Sequence, residues 1–99
     1  MITFVRTIVA APGKSLDVVA QAKEMAALVK RVTGADLAVG AALGGTFGEI
    51  AWITHYESLA QMDEANVKMM ADPEFRVASK KFENLLVPGA SRDHIWRHI

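Results

Sequence analysis

The stretch LAVGAALGGTFGEIAWITHY, residues 37–56, has the pattern of a β-hairpin, and the rest of the chain is arranged around it. Leu37–Leu43 alternates side chains as a strand does, and Phe47–Tyr56 is a second run rich in β-branched and aromatic residues. Gly44-Gly45 lies between them, and glycine tolerates the positive φ that a tight hairpin turn requires. The sequence therefore predicts two neighbouring antiparallel strands in the middle of the chain.

A predicted helix precedes this hairpin. It runs from Ser15, a residue type that caps helices, to about Thr33, with Gly34 directly after it. Its apolar residues recur at i, i+4, i+7, i+11 and i+14, which is one helical face: Val18, Ala22, Met25, Val29 and Val32.

A second predicted helix follows the hairpin. Ser58 and Gln61 have the spacing of a capping box, and Asp72-Pro73 restarts the helix, with Asp as N-cap and Pro at the first helical position. The first piece has an inner stripe with one polar member: Leu59, Met62, Asn66, Met69 and Met70. The second piece has a fully apolar face: Phe75, Ala78, Phe82, Leu85 and Leu86.

Two further strands complete the pattern at its outer ends, Ile2–Ala10 and Ser91–Ile99. The order βαββαβ predicts an α+β, ferredoxin-like domain over residues 1–99, with a four-stranded antiparallel sheet and its helices on one face. Both faces of Ile2–Ala10 are largely apolar, so a second copy packed sheet to sheet would bury the face that the helices leave uncovered.

Composition excludes several classes of protein. Of the 99 residues, 52% are hydrophobic, too many for a disordered chain, and eleven basic residues balance eleven acidic ones. This balance gives no field for nucleic acid or an anionic membrane. Without cysteine there is no disulfide scaffold and no thiolate nucleophile.

No targeting signal is predicted. Arg6 interrupts the first apolar run and no basic segment precedes it, which does not fit a signal peptide. The longest uncharged stretch, residues 37–48, is shorter than the roughly 18 apolar residues of a membrane span. We expect a cytoplasmic protein.

Two segments carry a family resemblance. HYESLA, residues 55–60, followed by ADPEF, residues 71–75, resembles the dimeric α/β-barrel superfamily, nearest to its antibiotic-biosynthesis monooxygenase and NIPSNAP-like branches. The resemblance implies a homodimeric barrel that holds a small aromatic or polyketide-like molecule between sheet and helices. It also implies chemistry without metal or cofactor. Where the monooxygenase branch commonly has two histidines, this chain has Asn66 and Glu74.

Arg6 and Asn66 are polar residues within apolar surfaces. Arg6 lies in the middle of a strand, where an unpaired charge is costly. It either anchors a ligand carboxylate or enolate through paired hydrogen bonds, or forms a salt bridge with Glu49 or Asp93. Asn66 either orients a substrate carbonyl or caps a backbone group.

The remaining candidates are aromatic residues, methionines and histidines. They either line a pocket or fill the core, and a histidine beside such a pocket could act as a general base. The candidate catalytic residues are His55 and Asn66. The candidate substrate-binding residues are Arg6, Trp52, Tyr56, Met62, Met69, Phe82, His94 and Trp96.

The histidines do not predict a metal site. His94 and His98 have a spacing that converges on a helix, but on a strand they would stand about 13 Å apart. His55 belongs to the third strand, which the first strand separates from the fourth in ferredoxin-like order.

Two functions remain open. One is a cofactor-independent monooxygenase, isomerase or cyclase; the other is a non-catalytic ligand-binding or dimerisation domain. A polar pocket between sheet and helices, reached by Arg6, Asn66 or a histidine, would favour the enzyme. A core filled by methionine and phenylalanine side chains would favour the second function.

Overall fold

The computed structural model describes residues 1–99 and contains four strands and three helices. Their order is βαββααβ, because the second predicted helix is broken in two at Asp72-Pro73. The bounds are β1 Ile2–Val9, α1 Ser15–Thr33, β2 Leu37–Ala41, β3 Glu49–Tyr56, α2 Leu59–Ala71, α3 Pro73–Glu83 and β4 Arg92–Arg97. None of the helices combines the length and the apolar character that crossing a bilayer requires.

The strands form one antiparallel sheet in the order β2-β3-β1-β4, so the first strand lies between the third and the last. Thr3 of β1 is paired with His55 of β3 on one side and with Trp96 of β4 on the other. This confirms the predicted ferredoxin-like α+β fold.

One face of the sheet is covered by the helices and holds the core. The stripe predicted for α1 is confirmed, since its buried residues are Val18, Ala22, Met25 and Val29. Val18 is completely buried, which stabilises the fold by about 1.5–3 kcal/mol relative to exposure. No residue of the opposite sheet face is buried, and Trp96 on that face is 61% exposed.

Local capping explains where two helices begin. Ser58 accepts a hydrogen bond from the backbone N–H of Gln61, whose side chain accepts one from the backbone N–H of Glu57. Asp72 accepts a hydrogen bond from the backbone N–H of Phe75, as predicted for an N-cap. At α1 the prediction is off by one residue, because Lys14 is the N-cap and makes no side-chain cap.

The hairpin is wider than predicted. Residues 42–48 lie outside both strands, so Leu43 and Phe47 are loop residues and are fully or almost fully exposed. Gly48 has a φ of +79° and lies against the backbone of Ala10. This left-handed residue, together with Gly45, allows a longer loop than a two-residue Gly-Gly turn.

The inner stripe predicted for α2 is partly wrong. Ala65 is the buried residue of this helix, Met62 and Met69 are half-buried, and Asn66 and Met70 are exposed. Ala65 lies three residues after Met62 and four before Met69, which puts the three on one helical face. Asn66 lies on the flank of that face, where its amide reaches water.

Candidate functional site

A strip of β1 and β4 on the helix side of the sheet remains uncovered. We call it the β1–β4 strip; it consists of two directly opposed pairs, Phe4 with Ile95 and Arg6 with Asp93. Phe4 is half-buried and Ile95 is 51% exposed. Every residue of β4 is exposed, so the helices that cover the rest of the sheet do not extend over it.

Arg6 forms a two-pronged salt bridge with Asp93. Its Nε lies 2.7 Å and its Nη2 3.0 Å from the two carboxylate oxygens. This confirms the structural alternative for Arg6 and selects Asp93 over Glu49, because Glu49 is paired with Val9 on the other face. The guanidinium carbon also lies 5.4 Å from the ring centre of Phe4, within the range of a cation–π contact.

The salt bridge changes the proton affinities of both partners. The hydrogen bonds with Asp93 raise the pKa of Arg6, although partial burial opposes this. The same hydrogen bonds lower the pKa of Asp93. Asp93 is therefore ionised at neutral pH and is a weak base. Arg6 uses two of its five N–H donors on Asp93 and has others for an anionic ligand.

Three of the predicted aromatic residues are packed in the interior. Trp52 and Phe82 are 8% and 5% exposed, and their rings meet edge to face with centres 5.9 Å apart. Tyr56 is buried in a smaller cluster with Ile2 and Ala65. Burial raises the pKa of Tyr56, so its hydroxyl stays protonated at neutral pH. The middle of the space between sheet and helices is thus filled by side chains.

The remaining predicted residues of the sheet lie on its open face, opposite the β1–β4 strip. His94 stacks on Trp96 with ring centres 6.4 Å apart. His55 lies within hydrogen-bonding distance of Thr3, and so does His98. The sheet therefore separates His55, His94 and Trp96 from Arg6.

A polar cleft of about 360 Å³ lies where β3 ends, between α2 and the loop after α1. Its lining includes both polar and charged residues: His55, Tyr56, Gln61, Glu64 and Lys68. His55 therefore reaches a polar cleft, while the interior beside it is collapsed. The polar cleft is a feature expected of the enzyme, and the filled interior is a feature expected of the non-catalytic domain.

The predicted site residues do not form one site. Trp52, Tyr56 and Phe82 are core residues, Arg6 belongs to the β1–β4 strip, and the others are divided between the open face and α2. Two contacts were not predicted from the sequence: the Phe4 ring lies beside the guanidinium of Arg6, and the Thr3 hydroxyl is hydrogen-bonded to His55. The pairing of β1 with both neighbours brings them together, and no local motif signals it.

The fold, in contrast, is shared with known proteins. No protein-family model and no curated protein matches the sequence. An uncharacterized NIPSNAP domain protein from Burkholderia xenovorans matches 100% of this chain and 95% of its own with a TM-score of 0.86 and 14% identity.

Two oxygenase structures have the same fold. SnoaB, a cofactor-independent oxygenase from Streptomyces nogalater, has a TM-score of 0.73 and 14% identity, with 98% of this chain and 91% of its own covered. An antibiotic biosynthesis monooxygenase has a TM-score of 0.76 and 10% identity, with 100% and 99% covered. This chain therefore has the ferredoxin-like fold of NIPSNAP and antibiotic-biosynthesis monooxygenase-like proteins, as the sequence resemblance implied.

Proposed function

We propose that the protein is a homodimer that binds a small aromatic molecule bearing an anionic oxygen, such as a carboxylate or enolate. The observation that carries the proposal is the exposure of β4 on both faces, with Ile95 on one and Trp96 on the other. Contiguous exposed apolar surface marks interaction sites, and here Ile95 lies opposite Phe4 on one face, while Trp96 shares the other face with Val5, Val9 and Ile53.

The open face is the proposed dimer interface. It carries Val5, Val9, Ile53 and Trp96 among polar residues, and no helix covers it. Two sheets can pack face to face about 10 Å apart, and tryptophan is enriched at the centres of such interfaces. A stable interface buries about 800 Å² on each partner, which is a feasible area for a four-stranded sheet.

The β1–β4 strip is the proposed ligand-binding surface. Phe4 and Ile95 offer an apolar wall for an aromatic ring, and the unused N–H donors of Arg6 can bind an anionic oxygen. Because Asp93 neutralises part of the Arg6 charge, we expect a ligand with one negative charge rather than several. In the dimer the strip stays accessible, since it lies on the other side of the sheet from the interface.

The finer form of the proposal is oxygenation, isomerisation or cyclisation of an aromatic or polyketide-like compound without a cofactor. The fold shared with SnoaB, described as a cofactor-independent oxygenase, supports it. The alternative, a binding or dimerisation domain without catalysis, is favoured by the filled interior around Trp52 and Phe82. It is also favoured by the sheet that separates His55, the proposed general base, from Arg6.

Neighbouring residues on opposite faces allow a matched test of binding and dimerisation. Trp96→Gln should convert a dimer into a monomer in light scattering, whereas Ile95→Gln should leave the dimer intact. Ile95→Gln and Arg6→Gln should instead reduce the melting shift induced by naphthoate-type aromatic carboxylates. A wild-type species of about 10.7 kDa would contradict the dimer. Ligand shifts that survive Ile95→Gln and Arg6→Gln but are lost in Lys68→Gln would move the ligand to the polar cleft.

Catalysis requires a separate measurement. Compounds that shift the melting temperature should be incubated with the protein in a sealed oxygen-electrode cell and analysed by mass spectrometry. Oxygen uptake with a product 14 mass units heavier in a wild-type sample, and not in Arg6→Gln, would support the oxygenase. Without a reductant the substrate gains one oxygen atom and loses two hydrogens, which leave with the second oxygen atom as water. A mass-neutral product would indicate isomerisation. Unchanged ligands would favour the binding domain.

A further inference from the structure

We propose that His55 and His98 form a binding site for a divalent transition-metal ion of the copper and zinc type. Nδ1 of His55 lies 2.9 Å, and Nε2 of His98 2.5 Å, from the same atom, Oγ1 of Thr3. Two imidazole nitrogens thus point at one position in space. The pair lies on the open face, which is also the proposed dimer interface, and the inference does not depend on the proposed aromatic ligand.

The position of Thr3 on the central strand explains how the two rings meet. β1 separates β3 from β4, but threonine is short, so longer side chains from both neighbours can reach over it. His55 is directly opposite Thr3, and the backbone N–H of His98 donates to Met1, which puts His98 diagonally opposite Thr3 on the same face. The separation by one strand, which argued against a metal site in the sequence, is therefore bridged by the side chains.

Without a metal ion, the Thr3 hydroxyl is hydrogen-bonded to both histidine rings. The Thr3 hydroxyl has one proton, so it donates to one imidazole and accepts an N–H from the other. A metal ion needs a lone pair on both nitrogens. The imidazole that donates to Thr3 must therefore carry its proton on its other ring nitrogen when the metal is bound.

Two imidazole ligands of one ion must bring their nitrogens close together. With metal–nitrogen distances of about 2.0–2.1 Å, two ligand nitrogens on a tetrahedral ion lie about 3.3 Å apart. The rings of His55 and His98 are perpendicular with centres 6.1 Å apart, so side-chain rotations are needed to bring both nitrogens onto one ion. In the single chain both side chains are exposed, so these rotations meet little resistance there.

In the single chain the site is open, with two protein ligands and the other positions left to water. The chain has no group of three or more histidines or carboxylates suited to hold an ion, so affinity depends on this pair. Imidazole ligands favour Cu²⁺, with Zn²⁺ and Ni²⁺ weaker, and give no site for Mg²⁺ or Ca²⁺. His94 is four residues from His98 along a strand, about 13 Å away, and is too distant to join the pair.

The experiment is a Cu²⁺ titration of tag-free protein. Calorimetry measures the affinity and stoichiometry, and electron paramagnetic resonance identifies the ligands of the bound ion. We expect one Cu²⁺ per chain, with the nitrogen hyperfine pattern of imidazole ligands. His55→Gln and His98→Gln should each weaken binding more than tenfold, since even outer-shell partners of a metal are worth roughly 10–100-fold. His94→Gln, on the same exposed face, is the matched control and should bind as the wild type does.

Three results would overturn the proposal. They are no stoichiometric Cu²⁺ binding, binding that survives in both His55→Gln and His98→Gln, and an equal loss in His94→Gln, which would indicate non-specific association with surface histidines. Circular dichroism of each variant establishes that it is folded before it is titrated.

Discussion

Phe82 is a candidate substrate-binding residue in the sequence, but in the structure it is a core residue. We therefore expect its truncation to destabilise the fold strongly. Its side chain is 5% exposed and meets Trp52 edge to face. Phe82→Ala should destabilise the fold by about 3–5 kcal/mol, the range for phenylalanine truncations in closed cores. The loss combines burial of the ring, the cavity left behind, and about 0.5–1.5 kcal/mol for the aromatic pair.

Urea unfolding followed by circular dichroism measures this loss. For a small domain the free energy of unfolding falls by about 1–3 kcal/mol per molar urea, so the midpoint should drop by at least about 1 M. Phe47→Ala is the matched control, because Phe47 is 96% exposed and its loss should change stability by less than about 0.5 kcal/mol. All samples need equal protein concentration, since self-association would couple to unfolding.

A loss below about 1 kcal/mol for Phe82→Ala would refute the reasoning. It would mean that the ring is not enclosed by the core and that its face is available to a ligand. Phe82 would then again be a candidate substrate-binding residue.

Three further predictions concern the salt bridge, a helix cap and an exposed amide. Arg6 lowers the pKa of Asp93, so the pair stabilises the fold above the unfolded-chain pKa of about 3.9 and this stabilisation is lost as the pH falls through the lower folded value. Asp93→Asn should therefore be less stable than the wild type at pH 7 by no more than about 1 kcal/mol, since both groups are partly exposed, and the melting temperatures of the two should converge as Asp93 becomes protonated in acid. Ser58→Ala should destabilise the fold by about 1 kcal/mol in urea unfolding, because the N–H of Gln61 loses its acceptor, and an unchanged midpoint would refute the cap. Asn66→Ala should change stability by less than about 0.5 kcal/mol and leave the melting shift of an aromatic ligand unchanged, because its amide is exposed on α2 and is not part of the β1–β4 strip; a reduced shift would extend the site to α2.

The element order was predictable because strong local signals mark the boundaries. Ser58, Asp72-Pro73 and Gly34 each act within a few residues of themselves, and the structure uses all three as expected. The hairpin loop was predicted too short because the glycine that shapes it, Gly48, lies against Ala10, a contact with a distant part of the chain.

The site was much less predictable than the fold. Thr3 lies 52 residues from His55 and 95 from His98 in the sequence, and only the pairing of three strands brings them together. Strand periodicity assigned each residue to a face but could not say which residues of neighbouring strands are opposite one another. The same limit applies to Phe82 and Asn66. Helical periodicity groups residues on one face, but only packing determines what that face contacts.

The central position of β1 has a consequence for synthesis of the chain. β1 is made first, but one of its two partners, β4, is made last, after about ninety residues have been added. Until then a long, apolar strand edge has no neighbour, and such edges pair readily with other chains. A chain that is released before residue 92 would leave this edge unprotected, and chaperones that shield extended segments would bind it at β1.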